Sequence, residues 1–387
     1  MNPYLRKNSN FGYDEIACIL SKLPVESLQR FKIVHKSWCS IINDPNFIKM
    51  QIEESSSNVN IQKILLISSK IIPSPSLDED MLDFNIGSIS ASSMSMNSQA
   101  VPLQPPNFHM SQDSSYPLVS SCNGLLCMVY NFKIFIWNPA IRKYKIVKKL
   151  NHLKHVKHYE STLYGFAYDS VSDDYKIIDT FVFNAKDSSH IVGIYSMKNQ
   201  SWKNIDTIQA GYRLFDQNAI TFDGTVNMMA ARSLEGNGGS DFNEFFIISL
   251  IVADEKFVVI PVPSQYCGSQ MKMSIFSNRL YLSGFVEMDF LVCSREKDWE
   301  WWTWTSVMKI PTLGSLIGLG NHNFYLDDII FLKENENILW RKPDGGFLEY
   351  DVRKKKVNEF ILNQISPATD LSILFTESLA SLRILWD

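Results

Sequence analysis

The sequence predicts a small all-α module followed by an all-β domain built like a β-propeller. Three observations predict this. Helical apolar periodicity is confined to residues 14–48, short apolar runs between polar turns fill the chain from residue 116 onward, and those runs recur at a regular interval. Aromatic residues are abundant, with 24 Phe, 15 Tyr and 9 Trp, which favours a β-rich core.

The first predicted helix has four apolar residues at the spacing of one helix face, i, i+3, i+4 and i+7: Ile16, Ile19, Leu20 and Leu23. Asp14 is its predicted N-cap, and Glu15 adds favourable charge in the first turn. Pro24 is expected to end this helix and to open the next, because it has no N–H to donate to the preceding turn.

Three more short helices are predicted after Pro24. Their apolar positions are Val25, Leu28 and Phe31 in the second, Val34, Trp38, Ile41 and Ile42 in the third, and Phe47 and Ile48 in the fourth, after the stop at Asp44-Pro45. Helices this short must pack on each other, and so small a module cannot bury every apolar side chain. We therefore expect an exposed apolar patch that serves as a binding surface.

The chain divides into three parts by composition. Residues 10–52 form the helical module, residues 53–115 hold a first strand and Ser/Pro-rich loops, and residues 116–387 form the β domain. The strand-like phrase at 61–68 is assigned to the β domain. For 72–108 we expect long loops with short strands. The runs at 61–68 and 371–382 are expected to complete the ring or its last blade.

The repeats of the β domain have the period of propeller blades. Their anchor positions are separated by roughly 44 to 58 residues: Trp137, Tyr195, Ile248, Val292 and Glu349. Each interval holds about four short strands, which is one blade. A β-sandwich is the alternative for many short antiparallel strands, but the repeated strand–turn–aromatic phrase favours the propeller.

The helical module resembles an F-box. The resemblance is carried by LPVESLQRFKIVHKSWCSII followed by DPNFI, whereas Phe11-Gly12 stands where an F-box has a first Leu-Pro. It implies docking to an SKP-type adaptor, with six adaptor-binding positions at or beneath the docking surface: Leu23, Pro24, Val25, Leu28, Val34 and Trp38. The alternative reading of these positions is that they only fill the core of the module.

The β domain resembles the kelch-like F-box-associated domain of plant F-box proteins. The matching residues are Ser121, Cys122, Asn123, Gly124, Leu125, Trp137, Asn138, Pro139, Arg142, Gly165, Phe166, Tyr168, Asp169, Asp173, Tyr175, Lys176, Tyr195 and Trp202. Among these proteins the chain resembles the S-locus F-box and S-locus-F-box-like group. The residues themselves predict turns: Asn123-Gly124 a tight hairpin with φ > 0, Asn138-Pro139 a turn entry, and Asp169 a turn stabilised by its own side chain.

The two resemblances together imply a non-catalytic substrate-recognition subunit of a ubiquitin ligase. The adaptor would link the chain to a cullin, and the β domain would hold a target protein. For the S-locus group that target would be a pistil ribonuclease (S-RNase) in pollen self-incompatibility. Two alternatives are a protein-binding module that does not dock the ligase and an enzyme that uses a propeller cleft.

The residues give little support to catalysis or cofactor binding. His152, His155 and His158 beside Glu160 have imidazoles suited to zinc, but Lys154 and Lys157 would repel a cation, so a solvated loop between blades is preferred. No G-x-S-x-G elbow occurs, and we expect no cofactor. For the Trp cluster at 299–304, packing between blades is the preferred interpretation. His155, Trp301 and Trp302 are the candidate target-binding residues.

Charge and cysteine content bound the partners and the compartment. The net charge of −4 offers no electrostatic case for nucleic acid. No apolar run of 18 residues and no apolar signal core occur, so neither a membrane span nor secretion is expected. The six cysteines are scattered without a CxxC pair, which predicts reduced thiols in a cytoplasmic protein, with the nucleus as a further compartment.

Overall fold

A computed structural model gives the architecture of the chain. It describes residues 12–58, 61–72, 81–91, 99–103, 110–111, 118–130, 133–148, 161–184, 189–208, 211–214, 219–232, 244–266, 271–276, 279–297, 302–311, 313, 328–332, 337–341, 346–360 and 369–380. Within these described residues, four α-helices come first, followed by twenty-six strands in six antiparallel sheets.

The helices are α1 Tyr13–Ser21, α2 Val25–Phe31, α3 Lys36–Ile42 and α4 Pro45–Ser57. Gly12, not Asp14, is the N-cap of α1, and its N–H donates to Glu15 Oε2 at 2.6 Å. This corrects the sequence prediction, because the chain turns helical two residues earlier, at Tyr13. Pro24 is the N-cap of α2, as expected. Asp44 Oδ1 caps α4 by accepting the Asn46 N–H at 2.8 Å, and Pro45 follows at the first helical position.

The helices share one apolar core. Its buried members within the helices are Ala17, Leu20, Val25, Leu28, Ile41, Ile42 and Phe47. Ile19 is 54% exposed, so its predicted place on the buried face is wrong. The buried face of α1 is centred on Ala17 and Leu20, and Ile19 points away from that face.

The strands follow in chain order. The first four are β1 Gln62–Ile72, β2 Met81–Ser90, β3 Val101–Pro102 and β4 Met110–Ser111. The next eight are β5 Leu118–Cys122, β6 Leu125–Tyr130, β7 Lys133–Asn138, β8 Lys143–Lys148, β9 Ser161–Asp169, β10 Asp174–Asn184, β11 Ser189–Ser196 and β12 Ser201–Ile208. Then come β13 Arg213–Leu214, β14 Ile220–Phe222, β15 Thr225–Arg232, β16 Glu244–Ile251, β17 Lys256–Pro261, β18 Met271–Phe276, β19 Arg279–Val286, β20 Asp289–Lys297 and β21 Trp302–Ile310. The last five are β22 Asp328–Leu332, β23 Asn337–Arg341, β24 Phe347–Asp351, β25 Lys356–Phe360 and β26 Thr369–Thr376.

The six sheets are the blades of a propeller. Blades 2 to 6 are β5–β8, β9–β12, β13–β17, β18–β21 and β22–β25 in sequence order, and blade 1 joins β26 to β1, β2, β3 and β4. The first strands of neighbouring blades contact each other: β26 with β5, β5 with β9, β9 with β14, β14 with β18 and β18 with β22. This arrangement confirms the propeller over the sandwich.

Ring closure joins the two ends of the β domain. β26 pairs antiparallel with β1, from Gln62 opposite Thr376 to Ile67 opposite Leu371. The sequence prediction that 61–68 and 371–382 complete the ring is therefore confirmed for the strands. The five repeat anchors also fall as the period requires, each in the third strand of its blade: β7, β11, β16, β20 and β24.

Within the stretch 72–108, residues 81–90 form a longer strand than the sequence predicts. β2 is ten residues long and pairs with β1 along its whole length, from Lys63 opposite Ser90 to Ile72 opposite Met81. Leu82, Phe84 and Ile86 alternate with Asp83 and Asn85, which is the period of a strand. The pairing to β1 extends the strand on both sides of this short alternation.

The core of the propeller lies at the seams between blades. Six apolar clusters are found in the described part of the chain, one at each seam. The closing seam between blades 6 and 1, for example, packs Leu339 and Phe347 against Ile64 and Leu66. Each blade is therefore stabilised mainly by its two neighbours.

The turn between β9 and β10 contains a buried ion pair. Lys176 Nζ lies 2.7 Å from Asp169 Oδ2, with the two side chains 10% and 3% exposed. Burial alone would raise the pKa of Asp169, but the Lys176 ammonium, the Ser172 hydroxyl and two backbone N–H groups outweigh it and lower the pKa to about 2. Asp169 thus does more than the turn stabilisation that its sequence predicts.

This ion pair predicts a loss of stability in acid. The folded-state pKa of Asp169 lies below the unfolded value of 3.8, so the stabilisation is complete above pH 3.8 and is lost as the pH falls toward 2. The loss attributable to Asp169 should be about 2 kcal/mol. Urea unfolding of the wild type and Asp169→Asn from pH 6 to 2 measures it, because the gap between the two proteins should close below pH 3.8. Asp254→Asn in an exposed turn is the control, and a gap that persists unchanged at pH 2 would contradict the assignment.

Candidate docking surface

The helical module exposes an unusual amount of apolar surface. Four of the eleven large apolar side chains that are exposed in the described residues belong to it: Tyr13 (54%), Ile19 (54%), Ile33 (89%) and Val34 (62%). Pro24 is also exposed. These side chains lie on α1 and on the two turns that flank α2. Exposed apolar groups concentrated on so small a module indicate a protein-binding surface.

The turn that carries Ile33 and Val34 is held firmly by the backbone. The Ile33 N–H donates to the Arg30 carbonyl at 3.2 Å, and the Val34 N–H donates to the Phe31 carbonyl at 3.1 Å. His35 caps α3 on the other side, where its Nδ1 accepts the Ser37 N–H at 3.2 Å. The two most exposed apolar side chains of the module are thus presented on an ordered backbone.

The six predicted adaptor-binding residues fall into three groups. Pro24 and Val34 are exposed, and Leu23 and Trp38 are half-buried. Val25 and Leu28 are 1% and 0% exposed, so they lie beneath the surface and hold the helices together. Their burial is compatible with a place beneath the adaptor surface rather than in direct contact with it, and their role in docking stays a prediction. The physical reason for the burial is their three-residue spacing, which turns both side chains to the inner face of α2. The assignment of the other four to the adaptor surface stays a prediction.

Three further exposed residues were missed by the sequence reasoning: Tyr13, Ile19 and Ile33. Ile33 follows α2 and breaks the three-residue spacing of Val25, Leu28 and Phe31. That break is the signal that could have identified it. Ile19 matched the helical period and so was assigned to the core, while Tyr13 was left out of the pattern altogether.

The structure describes only part of the region that holds the candidate target-binding residues. His155 and Trp301, and the cluster of His152, His158 and Glu160, lie outside the described residues. Trp302 begins β21, and its side chain is likewise outside them. Trp304 packs at the seam of blades 4 and 5, and its Nε1 donates to the Pro261 carbonyl at 3.1 Å. The predicted packing role is therefore confirmed for Trp304.

The described residues offer few groups suited to chemistry. They contain no cluster of three or more His, Cys, Asp or Glu side chains that could hold a metal. Burial raises the pKa of the Cys122 thiol to about 12, partly offset by a backbone hydrogen bond from Tyr168, so the thiol is protonated at neutral pH. Among the described helices, none has both the length and the apolarity that crossing a membrane requires.

The helical module is seated on one face of the propeller. Leu379, which follows β26, is part of the helical core, and Ala140 and Ile141 of the β7–β8 turn pack against it. Lys49 of α4 lies 3.1 Å from Asp173 in the β9–β10 turn. The pKa of Asp173 is lowered first by the hydrogen bond from the Tyr168 hydroxyl and then by Lys49. The surface residues Ile33 and Val34 remain uncovered by this contact.

The β5–β6 turn, which contains Gly124, lies against the chain segment that follows β26. Asn123 and Gly124 have φ values of 51° and 77°, which confirms the predicted tight hairpin. A Cβ on Gly124 would lie 2.7 Å from the Thr376 carbonyl oxygen and would also clash with the Ser378 hydroxyl. The absence of a side chain therefore allows the chain after β26 to approach the β5–β6 turn.

This close approach predicts a position-specific effect of Gly124→Ala. Left-handed φ should cost about 1–2 kcal/mol, and the clash about 1–3 kcal/mol more. Gly224→Ala is the matched control, because Gly224 has φ of 67° and open space around its Cβ position. Chemical denaturation should show a larger loss for Gly124→Ala than for Gly224→Ala. Equal losses would mean that the chain after β26 does not press on this turn.

Comparison with known families agrees with the two-part architecture. Residues 9–50 match the F-box domain, and residues 76–360 match the F-box associated beta propeller domain. Similar curated proteins come from Arabidopsis thaliana. The F-box/kelch-repeat protein At3g23880 is 26% identical over 254 residues, which covers 63% of this chain and 63% of that protein. The F-box protein At3g16210 is 21% identical over 385 residues, with 97% and 96% of the two chains covered.

Coverage and structural likeness differ among the matches. In the first three curated relatives the match spans 63%, 65% and 48% of the relative's length. Among solved structures, the Dos1 propeller is matched with a TM-score of 0.37 and 10% identity, over 77% of this chain and 74% of that chain. The sheet topology, together with the family match over residues 76–360, carries the assignment. The chain belongs to the F-box proteins that have an F-box associated β-propeller domain.

Proposed function

We propose that this chain is the substrate-recognition subunit of a ubiquitin ligase of the SKP–cullin–F-box type. The observation that carries the proposal is an F-box with exposed apolar side chains on an ordered backbone, fixed to one face of a propeller. The F-box docks an SKP-type adaptor, the adaptor connects to a cullin, and the propeller holds a target protein. The chain works in the cytoplasm or nucleus and performs no bond chemistry of its own.

The side of the propeller away from the F-box is the face for the target. In an antiparallel blade the turns between strands 1 and 2 and between strands 3 and 4 share one face. The F-box and the chain after β26 contact three turns of that kind, near Asn123, Ala140 and Asp173. The turns between strands 2 and 3 therefore lie on the opposite face, where Met288 of the β19–β20 turn is 42% exposed. Holding a target there raises its effective concentration near a ubiquitin-transferring enzyme.

The finer proposal is that the target is a pistil S-RNase and that the chain acts in pollen self-incompatibility. It is supported by the overall resemblance of the chain to the S-locus F-box and S-locus-F-box-like group. Binding of the full chain to S-RNases, compared with a secreted ribonuclease of another class, tests this. Equal or absent binding would remove the S-RNase target without affecting the ligase role.

Reconstitution tests the ligase role directly. The full chain is mixed with an SKP-type adaptor and a cullin, and co-elution on size exclusion is measured. A stoichiometric complex is the expected result. Failure of the wild-type chain to bind the adaptor would favour the alternative, a protein-binding module that does not dock the ligase, for which Phe11-Gly12 in place of the first Leu-Pro is the motivation. In a separate experiment, capture of bound proteins with the proteasome blocked would identify the target.

A further inference from the structure

The four residues after β26, Glu377–Ala380, contact both domains. Leu379 is 3% exposed and belongs to the F-box core. Ala380 is 2% exposed and belongs to the propeller seam between blades 2 and 3, together with Leu125 and Phe166. The segment Glu377–Ala380 is therefore shared by the F-box and the propeller, and we call it the clasp.

The propeller holds the clasp by its backbone. The buried amide of Asn138 donates both of its hydrogens, to the Ser378 carbonyl at 3.1 Å and to the Ala380 carbonyl at 3.0 Å. Asn138 Oδ1 accepts the Ala140 N–H at 2.9 Å, which fixes the orientation of the amide. The Ser378 hydroxyl donates to the Asn123 carbonyl. Asn138 thus has a contact role that its turn position alone does not reveal.

The F-box holds the same segment from the other side. The Leu379 N–H donates to Gln51 Oε1 at 3.0 Å, and Gln51 is 1% exposed on α4. Gln51 Nε2 in turn donates to the Ser55 hydroxyl at 2.6 Å. The adjacent Ile52 packs against the propeller seam that contains Ala380. The Gln51 amide thus makes one contact to the segment after β26 and one within α4, which fixes its orientation.

The clasp also depends on ring closure. It follows β26 directly, and β26 lies in place only when it pairs with β1. Lys63 of β1 forms an ion pair with Glu377 at 2.6 Å, which links the closing strand to the first residue of the clasp. The F-box can therefore pack in this position only against a closed propeller.

We propose that Glu377–Ala380 is an interdomain clasp that fixes the orientation of the F-box on the closed propeller, with Asn138, Gln51 and Leu379 as its positioning residues. This role in the domain geometry does not depend on the proposed function. Its consequence for ubiquitin transfer, a constant distance from the adaptor surface to the target face, rests on the proposed function.

Energy transfer between two fluorophores on the full chain tests the clasp. Unnatural amino acids place them at the exposed positions of Glu26 on α2 and Lys354 in the β24–β25 turn, where the side chains are 76% and 78% exposed. The wild type should give one narrow distance distribution. Leu379→Ala, which empties the clasp position in the F-box core, should broaden it, and Asn138→Asp should do the same because a carboxylate cannot donate to two carbonyls.

Matched controls separate loss of the clasp from general loosening. Ile41→Ala makes a cavity within the F-box core, and Asn199→Asp makes the same chemical change in an exposed turn. Both should keep the narrow distribution. If Asn138→Asp does not fold, Leu379→Ala decides the test, and a narrow distribution in folded Leu379→Ala overturns the proposal.

The outcome is independent of the adaptor. Distances are measured on the chain alone, so they stand even if no adaptor binds. Leu379→Ala leaves Ile33 and Val34 in place and should still co-elute with the adaptor wherever the wild type does. Failure of the wild type to bind the adaptor would overturn the proposed ligase role but would not affect the proposal of the clasp.

Discussion

Replacing Ile33 and Val34 together by aspartate should lower the affinity for an SKP-type adaptor by about 100-fold, or about 3 kcal/mol. Both side chains are exposed, at 89% and 62%, on a turn held by backbone hydrogen bonds. In a complex, their apolar surface would be replaced by two carboxylates that lose water without gaining a partner. Because neither side chain is part of the F-box core, the variant should fold normally.

Isothermal titration of the purified chains measures this effect. Val307→Asp is the matched control, since Val307 is an exposed apolar residue on the outer strand of blade 5, far along the chain from the F-box. Its adaptor affinity should equal that of the wild type. Full affinity in the Ile33→Asp/Val34→Asp variant would place the adaptor surface elsewhere on the module. In that case Tyr13 and Ile19 on α1 would be the next side chains to test.

Trp340→Ala should produce the largest loss of stability in the propeller, about 3–5 kcal/mol. Trp340 lies in β23 with 0% exposure. Its ring packs edge-on against Phe290 of the neighbouring blade at a centroid distance of 5.3 Å and an interplanar angle of 77°. The alanine variant would leave a cavity at the seam of blades 5 and 6. Such a loss is a large share of the total stability of a typical domain, about 5–15 kcal/mol.

Denaturant unfolding followed by circular dichroism checks this prediction. Trp304→Ala is the matched control, because Trp304 is only half-buried at the seam of blades 4 and 5. It should lose about 1–2 kcal/mol, from its hydrogen bond to Pro261 and its partial burial. Similar losses for the two variants would show that burial at the seam does not set the stability of this ring.

Periodicity was sufficient to predict most of the fold. The helical spacing of Val25, Leu28 and Phe31 marked a buried face of α2, and the anchors from Trp137 to Glu349 marked the third strand of five blades. Both patterns are local, and each requires only that side chains recur at the period of one element. Local pattern was less informative at Ile19, where the helical period matched but the neighbouring helices cover a different face.

The candidate site was predicted less completely. Pro24 and Val34 are exposed as expected, whereas burial moved Val25 and Leu28 beneath the surface and left Ile33 as the most exposed apolar side chain. The missing information is how four short helices share their small core. That packing decides which apolar residues remain in contact with solvent, and no single helix pattern contains it.

The sequence by itself determined the helical module and the repeating blades, because apolar periodicity dictates both of them. The closure of the ring by the two ends of the β domain was expected only because chain ends often close a propeller. Only the tertiary structure decided how the F-box sits on the propeller. The sequence predicted only a turn at Asn138, and it assigned no role to Gln51 or Leu379. Gln51 and Leu379 are 328 positions apart along the chain. Contacts at such separation form only after the ring has closed, and so they leave no periodic signal in the residues that make them.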